Sequence, residues 1–363
     1  MNAHIINIPD ENYFLNSCIP NGFLGVGIVV TSQTPQGLSK ACATSYSMYA
    51  DMKTIRVGDM IFIHAGNKIY GVFKAESEFV EDSTAPVHIY SRNIHYHPNP
   101  NVANSGWSTN FPAIPNVSDY RRISISHFVD SVCKNLCYEI GIDSTEVFDL
   151  KYHRKIFSIP ERWKYTDAAR TIRPLMEFEA FEILKLIEIE NADNSNRLTI
   201  QPMNLQTYLL LEFILNNNIV ENEKIIEGWI CSQLGRNANI DSIFKEFRCF
   251  GNNIPIGYLK FIDILGYQTL PSGIKKYKII EVKKGDCIYP DNITQLIDYI
   301  NKAALNIVEG NFKLIDGYLV AKTFSQACID FVTQFNQTGR LIRLVSFDYS
   351  PPNYNSITLT QVV

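Results

Sequence analysis

The sequence lacks three features that would each assign a class of protein directly. It has no Cys-x-x-Cys pair among its eight cysteines, which argues against a zinc knuckle. It has no run of about 18 uninterrupted apolar residues, so no membrane-spanning helix is predicted. The apolar stretch after the first residues is too short for a signal peptide. We therefore expect a cytoplasmic protein whose cysteines are free thiols, with no membrane partner.

Positive charge is not in excess either, since the formal net charge is −4 at pH 7. Composition therefore does not itself indicate nucleic-acid binding, although affinity depends on a local patch rather than on the total. Lysine and arginine are frequent between residues 236 and 284, so such a patch is available. With 46% hydrophobic and 19% charged residues, the 363-residue chain is predicted to form two globular domains or three small ones.

The polar segment Asn191–Arg197 is the best candidate for a linker. We expect a β-rich first domain over residues 1–165, a connecting helix and linker over 166–200, and a second domain over 201–363. Predicted helices and strands alternate in the second domain. This alternation favours an α/β or α+β core with a mixed sheet flanked by helices.

Two apolar segments in the second domain, Leu259–Tyr267 and Tyr277–Lys283, are predicted to form a β-hairpin. Pro271–Gly273 between them has the composition of a turn. We expect the strand before this hairpin at Phe244–Phe250, and a turn at Gly251–Pro255 because that segment contains two asparagines, a glycine and a proline.

Charged side chains in this hairpin indicate a site. Asp263 interrupts an apolar strand, where a carboxylate is costly unless a partner holds it charged. Residues two apart on a strand share a face, so Glu281 and Lys283 point the same way. If Asp263 lies beside Glu281, two carboxylates and an ammonium converge, and the oxygen ligands suit Mg²⁺ or Mn²⁺. The alternative is a solvated strand face on which Glu281 and Lys283 take part in an ordinary ion pair.

These residues resemble the pattern of the PD-(D/E)XK nuclease superfamily, in particular its NucS-like branch. That pattern has a helix with Leu-Glu, a strand with Ile-Asp-Ile-Leu, a strand end with Ile-Glu-Val-Lys and a helix with Gln and Tyr four apart. The corresponding segments here are Leu211-Glu212, Ile262–Leu265, Ile280–Gly285 and the pair Gln295 and Tyr299. The match spans residues 205–320 and implies a restriction-endonuclease-like core.

The resemblance implies a DNA endonuclease that hydrolyses phosphodiester bonds. Asp263, Glu281 and the main-chain carbonyl of Val282 would bind Mg²⁺ or Mn²⁺. Lys283 would activate the attacking water or stabilise charge that develops on the phosphate.

Two further residues enter the catalytic set through the resemblance alone. Glu212, expected on a helix over Leu205–Asn216, and Gln295 would support the three central residues. Double-stranded DNA is the expected partner. A homodimer is expected if both strands are cut, since each chain has one site.

The first domain contains a second pattern. Residues 55–75 carry two apolar strands separated by Ala65–Asn67, and this hairpin resembles those of PUA, EVE and YTH domains. The resemblance implies a PUA-like β-barrel that holds a specific, modified or flipped base in an aromatic pocket. The candidate base-reading residues are Tyr46, Tyr49, Trp107 and Phe111. The alternative is that these aromatics belong to the ordinary core of the barrel.

A base-reading barrel joined to a nuclease is the layout of a restriction enzyme, which is the first hypothesis. A mismatch or repair endonuclease of the NucS type is the second. The third is a non-catalytic nucleic-acid-binding protein in which the acidic residues serve structure.

Overall fold

The computed structural model describes residues 2–8, 11–27, 47, 50–78, 80–82, 120–127, 137–152, 172–202, 209–210, 223–245, 247–257, 260–350 and 353–363. The chain forms two compact units. The first comprises Met1–Ser45, Ile55–Lys155 and Leu175–Glu212. The second comprises Tyr46–Thr54, Ile156–Pro174 and Phe213–Val363. No helix in the described residues is both long and apolar enough to cross a membrane.

The first unit is built on a mixed sheet. Its strands are β1 (Ala3–Ile8), β2 (Phe23–Gly27), β3 (Met60–Ala65), β4 (Lys68–Ala75), β5 (Val80–Asp82), β6 (Tyr120–His127), β7 (Ile142–Asp143) and β9 (Leu209–Leu210). A further strand, β8 (Ile172–Leu175), lies where the chain passes from one unit to the other. Its helices are α1 (Glu11–Tyr13), a π-helical turn (Phe14–Cys18), α2 (Ser144–Tyr152) and α3 (Glu177–Glu190).

The hairpin expected in the first unit is confirmed. Strands β3 and β4 pair antiparallel, and β1 lies parallel to β3 on the other side. The sheet continues in the order β1-β3-β4-β6-β5-β9, with β2 on β6 and β7 on β4. Within the described residues this order does not close on itself, so the barrel expected for residues 1–165 is not shown.

The buried carboxylate of Asp59 connects the start of β3 to the start of β1 through hydrogen bonds. Asp59 accepts the backbone N–H of Asn2 at 3.0 Å and that of Arg56 at 2.8 Å. Nε2 of His4 lies 3.2 Å from the second oxygen of Asp59. Both oxygens are therefore satisfied, which is the condition for burying a carboxylate at low cost.

The polar segment that follows α3 is anchored to the first unit. Asn191 is buried, and its side-chain amide donates to the carbonyls of Ile187 and Ile140 at 2.8 Å each. The Ile187 carbonyl also accepts the backbone N–H of Asn191 at 3.1 Å, so Asn191 binds the last turn of α3 through both its backbone and its side chain.

The second unit is built on a six-stranded sheet. Its strands are β10 (Arg248–Gly257), β11 (Lys260–Thr269), β12 (Lys275–Val282), β13 (Ile315–Ala321), β14 (Leu341–Ser350) and β15 (Asn353–Gln361). Its helices are α4 (Glu223–Gln233), α5 (Ala238–Phe244), α6 (Asp291–Ile307) and α7 (Gln326–Asn336), with a 3₁₀ turn at Phe312–Leu314. The mixed sheet and the alternation of helices with strands agree with the expected α/β or α+β character.

Strand direction changes three times across this sheet, whose order follows the chain from β10 to β15. The pairs β10–β11, β11–β12 and β14–β15 are antiparallel, and the pairs β12–β13 and β13–β14 are parallel. The β11–β12 turn is the one expected at Pro271–Gly273, where Gly273 has φ +81°. Helices α6 and α7 make the crossovers that parallel neighbours require.

Close packing holds α6 on the sheet. A Cβ added to Gly317 of β13 would lie 2.6 Å from Cδ1 of Ile300 and 3.3 Å from Leu296, both on α6. Only a residue without a side chain allows this approach. The apolar side of α6 is therefore held against the strand next to β12.

Two local predictions are wrong. The strand expected at Phe244–Phe250 begins instead at Arg248, because Phe244 ends α5, and the expected turn at Gly251–Pro255 is part of β10. Tertiary packing explains the strand: Gly251 lies against Pro174, and the Asn252 amide donates to the carbonyl of Ser47 at 3.3 Å.

The prediction of a helix over Leu205–Asn216 is also wrong at the two residues of this range that the structure describes. Leu209–Leu210 form strand β9, with Leu210 opposite Val80 of β5. An apolar run of this length fits either structure, and strand pairing decides between them.

Candidate functional site

The acid-bearing strands β11 and β12 bring Asp263 and Glu281 together. Ile264 lies opposite Ile280, and the same antiparallel register continued by one residue puts Asp263 opposite Glu281. The backbone N–H of Val282 donates to Oδ2 of Asp263 at 2.9 Å. The proximity expected from the sequence is therefore present.

Glu281 is almost completely buried, at 2% exposure, and its two carboxyl oxygens have different surroundings. Oε1 lies 2.7 Å from Nζ of Lys283. Oε2 is buried without a hydrogen-bond partner among the described residues. A buried carboxylate oxygen with no donor is costly, so this atom is the one most ready to accept a ligand.

Electrostatics distinguish Glu281 from an ordinary surface acid. Burial, and then the nearby negative charge of Asp263, raise the pKa of Glu281 to about 8, although Lys283 opposes the shift. Burial alone lowers the pKa of Lys283, but its contacts with Glu281 and the charge of Asp263 outweigh burial and raise it. The lysine is therefore protonated where two carboxylates compete for positive charge.

Helix α4 adds charged residues that the sequence pattern did not assign to the site. Nζ of Lys224 lies 2.8 Å from the Glu227 carboxylate and 3.5 Å from Oδ1 of Asp263. Glu227 is fully buried. The negative charge of Glu223 also raises the pKa of Glu281, so the first turn of α4 lies near the strand ends.

Acidic side chains predominate in this cluster of described residues. The carboxyl groups of Glu223, Glu227, Asp263 and Glu281 lie near the ammonium groups of Lys224 and Lys283. The described residues contain no group of three His, Cys, Asp or Glu side chains arranged to hold a metal ion. Asp263, Glu281 and the Val282 carbonyl would supply hard oxygen ligands, which suit Mg²⁺ or Mn²⁺. The unpartnered Oε2 of Glu281 supports that fit.

Gln295 lies in the first turns of α6, on the helix that follows the site strand. Its side-chain amide donates to the hydroxyl of Tyr299 at 2.8 Å, so the expected pair on one helix face is present. This contact lies within the helix and does not itself connect Gln295 to the carboxylates. The supporting role of Gln295 stays a prediction.

The remaining candidates lie outside the described residues. They are Glu212 and the four aromatic base-reading candidates Tyr46, Tyr49, Trp107 and Phe111. Their roles stay predictions.

No family model and no curated protein sequence matches the chain. Among solved structures, one similar chain is a repair endonuclease from Pyrococcus abyssi, at 16% identity and a TM-score of 0.26, covering 36% of this chain and 50% of that one. Another is EndoMS in complex with double-stranded DNA, at 17% identity and a TM-score of 0.27, covering 40% and 52%.

A third similar structure is human THYN1 in complex with DNA that contains 5-methylcytosine. It shares 13% identity with this chain at a TM-score of 0.28, and the alignment covers 52% of this chain and 98% of that one. The chain spans about half the length of the two endonucleases. At these TM-scores the likenesses assign neither fold nor activity, so the argument for function rests on the geometry of the site.

The sequence contained one signal for the residues of α4. Glu223, Lys224 and Glu227 occupy positions i, i+1 and i+4 at the start of a predicted helix, and i and i+4 share a helix face. This pattern is common on solvated helices, so it does not reveal that Glu227 is buried beside another chain segment. Only the packing of α4 near β11 and β12 places these residues at the site.

Proposed function

We propose that this chain is a metal-dependent DNA endonuclease. In this proposal Asp263, Glu281 and the main-chain carbonyl of Val282 hold Mg²⁺ or Mn²⁺, and Lys283 acts on the scissile phosphate. The observation that carries the proposal is the buried Oε2 of Glu281, which has no hydrogen-bond partner among the described residues and lies near the negative charge of Asp263.

The residues of the site divide the chemistry between them. When bound, the divalent ion supplies a water of lowered pKa and offsets negative charge on the phosphate. Asp263 is held in place by the Val282 N–H, so its position does not depend on the ion. Lys283 stays protonated beside Glu281, and its ammonium is suited to stabilising the negative charge that develops on a phosphate oxygen.

In this proposal the first unit selects the target by reading a base, and the enzyme restricts foreign DNA. A NucS-type mismatch or repair role is the alternative that keeps the same chemistry. The duplexes that distinguish these two roles are mismatched DNA and DNA that contains 5-methylcytosine. Cleavage of both strands by one site per chain would require two copies, so the proposal includes a homodimer, measured by light scattering.

Cleavage of supercoiled plasmid tests the proposal. The wild-type protein is expected to nick the plasmid with Mg²⁺ or Mn²⁺ and to be inactive in EDTA. Asp263→Asn, which retains the shape of the side chain and removes its charge, is expected to lower the nicking rate at least about 10²-fold. Unmodified, methylated and mismatched duplexes are then compared to separate a restriction role from a repair role.

Asp298→Asn is the matched control for Asp263→Asn. Asp298 lies on α6, is 39% exposed and pairs with Lys260 at 2.8 Å, outside the proposed site. Its substitution is expected to leave nicking unchanged. Equal nicking by wild-type protein and Asp263→Asn would refute the enzyme and favour a non-catalytic nucleic-acid-binding protein.

A further inference from the structure

Lys224 lies between two acidic groups of the candidate site. Its Nζ is 2.8 Å from the Glu227 carboxylate and 3.5 Å from Oδ1 of Asp263. The other oxygen of Asp263 is engaged by the Val282 N–H. Lys224 therefore faces the oxygen of Asp263 that the β-sheet hydrogen bond does not use.

Burial makes this position costly to leave without a cation. The Glu227 side chain is fully buried, the Asp263 side chain is 13% exposed, and the Lys224 side chain is 24% exposed. Two buried carboxylates in one place repel each other unless positive charge or donors compensate them. The flexible stem of a lysine also lets its ammonium move over several ångströms without moving the helix.

We infer that Lys224 is the resident counter-cation of the site. It holds Asp263 and Glu227 in place before a divalent ion binds, and it competes with that ion for Oδ1 of Asp263. The inference rests on the proposed function, since the competing ligand is the divalent metal. Lys224 is thus a positioning residue that sets the metal concentration at which the site fills.

The competition has a direct thermodynamic consequence. Removing Lys224 destabilises the metal-free site, in which Asp263 and Glu227 then repel each other. The metal-bound site loses less stability, because the divalent ion supplies the missing positive charge. The free-energy difference between the metal-free and the metal-bound protein therefore grows, and the metal binds more tightly.

Calorimetric titration with Mn²⁺ alone and thermal melting in EDTA test this inference on the full-length protein. Lys224→Met is expected to melt at a lower temperature than wild type in EDTA. It is also expected to bind Mn²⁺ about tenfold more tightly, since a like charge near the ion is removed. Lys224→Arg retains the charge and is expected to restore both values toward those of wild type.

Lys185→Met is the matched control. Lys185 on α3 pairs with Glu182 three residues away at 2.8 Å, the same spacing and distance as Lys224 and Glu227, but its side chain is 63% exposed. Neither melting nor Mn²⁺ affinity is expected to change in this variant. Lys224→Gln, which removes the charge but can still donate hydrogen bonds, is measured in parallel and decides the result if Lys224→Met does not fold.

The outcomes separate this inference from the proposed function. If the wild-type protein binds no Mn²⁺ and nicks no plasmid, the proposed function is refuted. If the wild type does both, and Lys224→Met and Lys224→Gln bind Mn²⁺ with unchanged or weaker affinity, only the role assigned to Lys224 is overturned. Tighter binding with rescue by Lys224→Arg supports it.

Discussion

Two buried carboxylates, one in each unit, have opposite surroundings. Asp59 of the first unit accepts two backbone N–H groups and lies 3.2 Å from His4, so both of its oxygens are engaged. Glu281 of the second unit has one lysine at 2.7 Å and a second oxygen with no hydrogen-bond partner among the described residues. Asp59 and Glu281 are 1% and 2% exposed, so burial does not distinguish them.

The comparison shows what separates a structural buried acid from a candidate ligand. Surrounding donors satisfy Asp59 within the fold, so it stabilises the junction of β1 and β3. Oε2 of Glu281 has no hydrogen-bond partner among the described residues and the charge of Asp263 lies nearby, and a bound cation would relieve both conditions. The same contrast predicts that the two acids respond to substitution in opposite ways.

The largest expected effect is on activity. Glu281→Gln removes a proposed metal ligand and is expected to lower plasmid nicking at least about 10²-fold. The metal-free variant is expected to melt no lower than wild type, because a neutral amide replaces a buried carboxyl whose raised pKa already favours its neutral form. Initial nicking rates and melting curves in EDTA measure the two effects. A large loss of stability in EDTA would place Glu281 in the same structural class as Asp59.

The next largest effect is on the stability of the first unit. Asp59→Ala leaves the N–H groups of Asn2 and Arg56 and the ring of His4 without this acceptor. It is expected to lower the free energy of unfolding by about 2–4 kcal/mol. Denaturant unfolding of the wild type and the variant measures this difference. A value near zero would mean that water replaces the carboxylate, and the contrast with Glu281 would not hold.

A smaller effect concerns Lys278, a buried cation of the second unit that resembles Asp59 in being satisfied. Its ammonium donates to the carbonyls of Phe244, at 2.6 Å, and Lys245, at the C-terminal end of α5. Burial nevertheless lowers the pKa of Lys278 to about 8. Between this value and the unfolded-state pKa near 10.5, the unfolded chain binds more protons, so stability rises with pH.

Lys278→Met removes this titration. The wild type is expected to gain unfolding free energy relative to the variant between about pH 7 and about pH 10. Denaturant unfolding at both pH values measures the gain. If the free energy of unfolding changes with pH equally in the two proteins, Lys278 has the same pKa in the folded and the unfolded chain. The carbonyl contacts would then offset the effect of burial completely.

The smallest expected effect provides the baseline for these comparisons. Lys260 pairs with Asp298 at 2.8 Å, but both side chains are well exposed. Solvent and salt screen such a pair, so Lys260→Met is expected to change neither the melting temperature nor plasmid nicking measurably. A clear loss of nicking with unchanged melting would instead assign Lys260 to a DNA-contacting surface.

Much of the second unit was predictable because its signals are local. The turn at Pro271–Gly273 and the apolar runs on either side specify the β11–β12 hairpin. The helix expected to carry Gln295 and Tyr299 is present as Asp291–Ile307. Strand periodicity also placed Glu281 and Lys283 on one face, and the register then put Asp263 beside them.

The errors arose where distant parts of the chain decide local structure. Asn252 and Gly251 have the composition of a turn, yet they lie in β10 because of packing against Ser47 and Pro174. Leu209 and Leu210 fit the apolar pattern of a helix, yet they pair with β5. In each case a contact with a residue far away in sequence outweighs a weak local preference.

The sequence alone determined the hairpin, its two acids and its lysine, because turn composition and a period of two residues are properties of neighbouring positions. Only the tertiary structure decided that Oε2 of Glu281 is buried without a hydrogen-bond partner in the described residues, and that α4 brings Lys224 to Asp263. The physical reason is that burial and electrostatic repulsion depend on every group within a few ångströms. Those groups come from segments that the sequence keeps far apart.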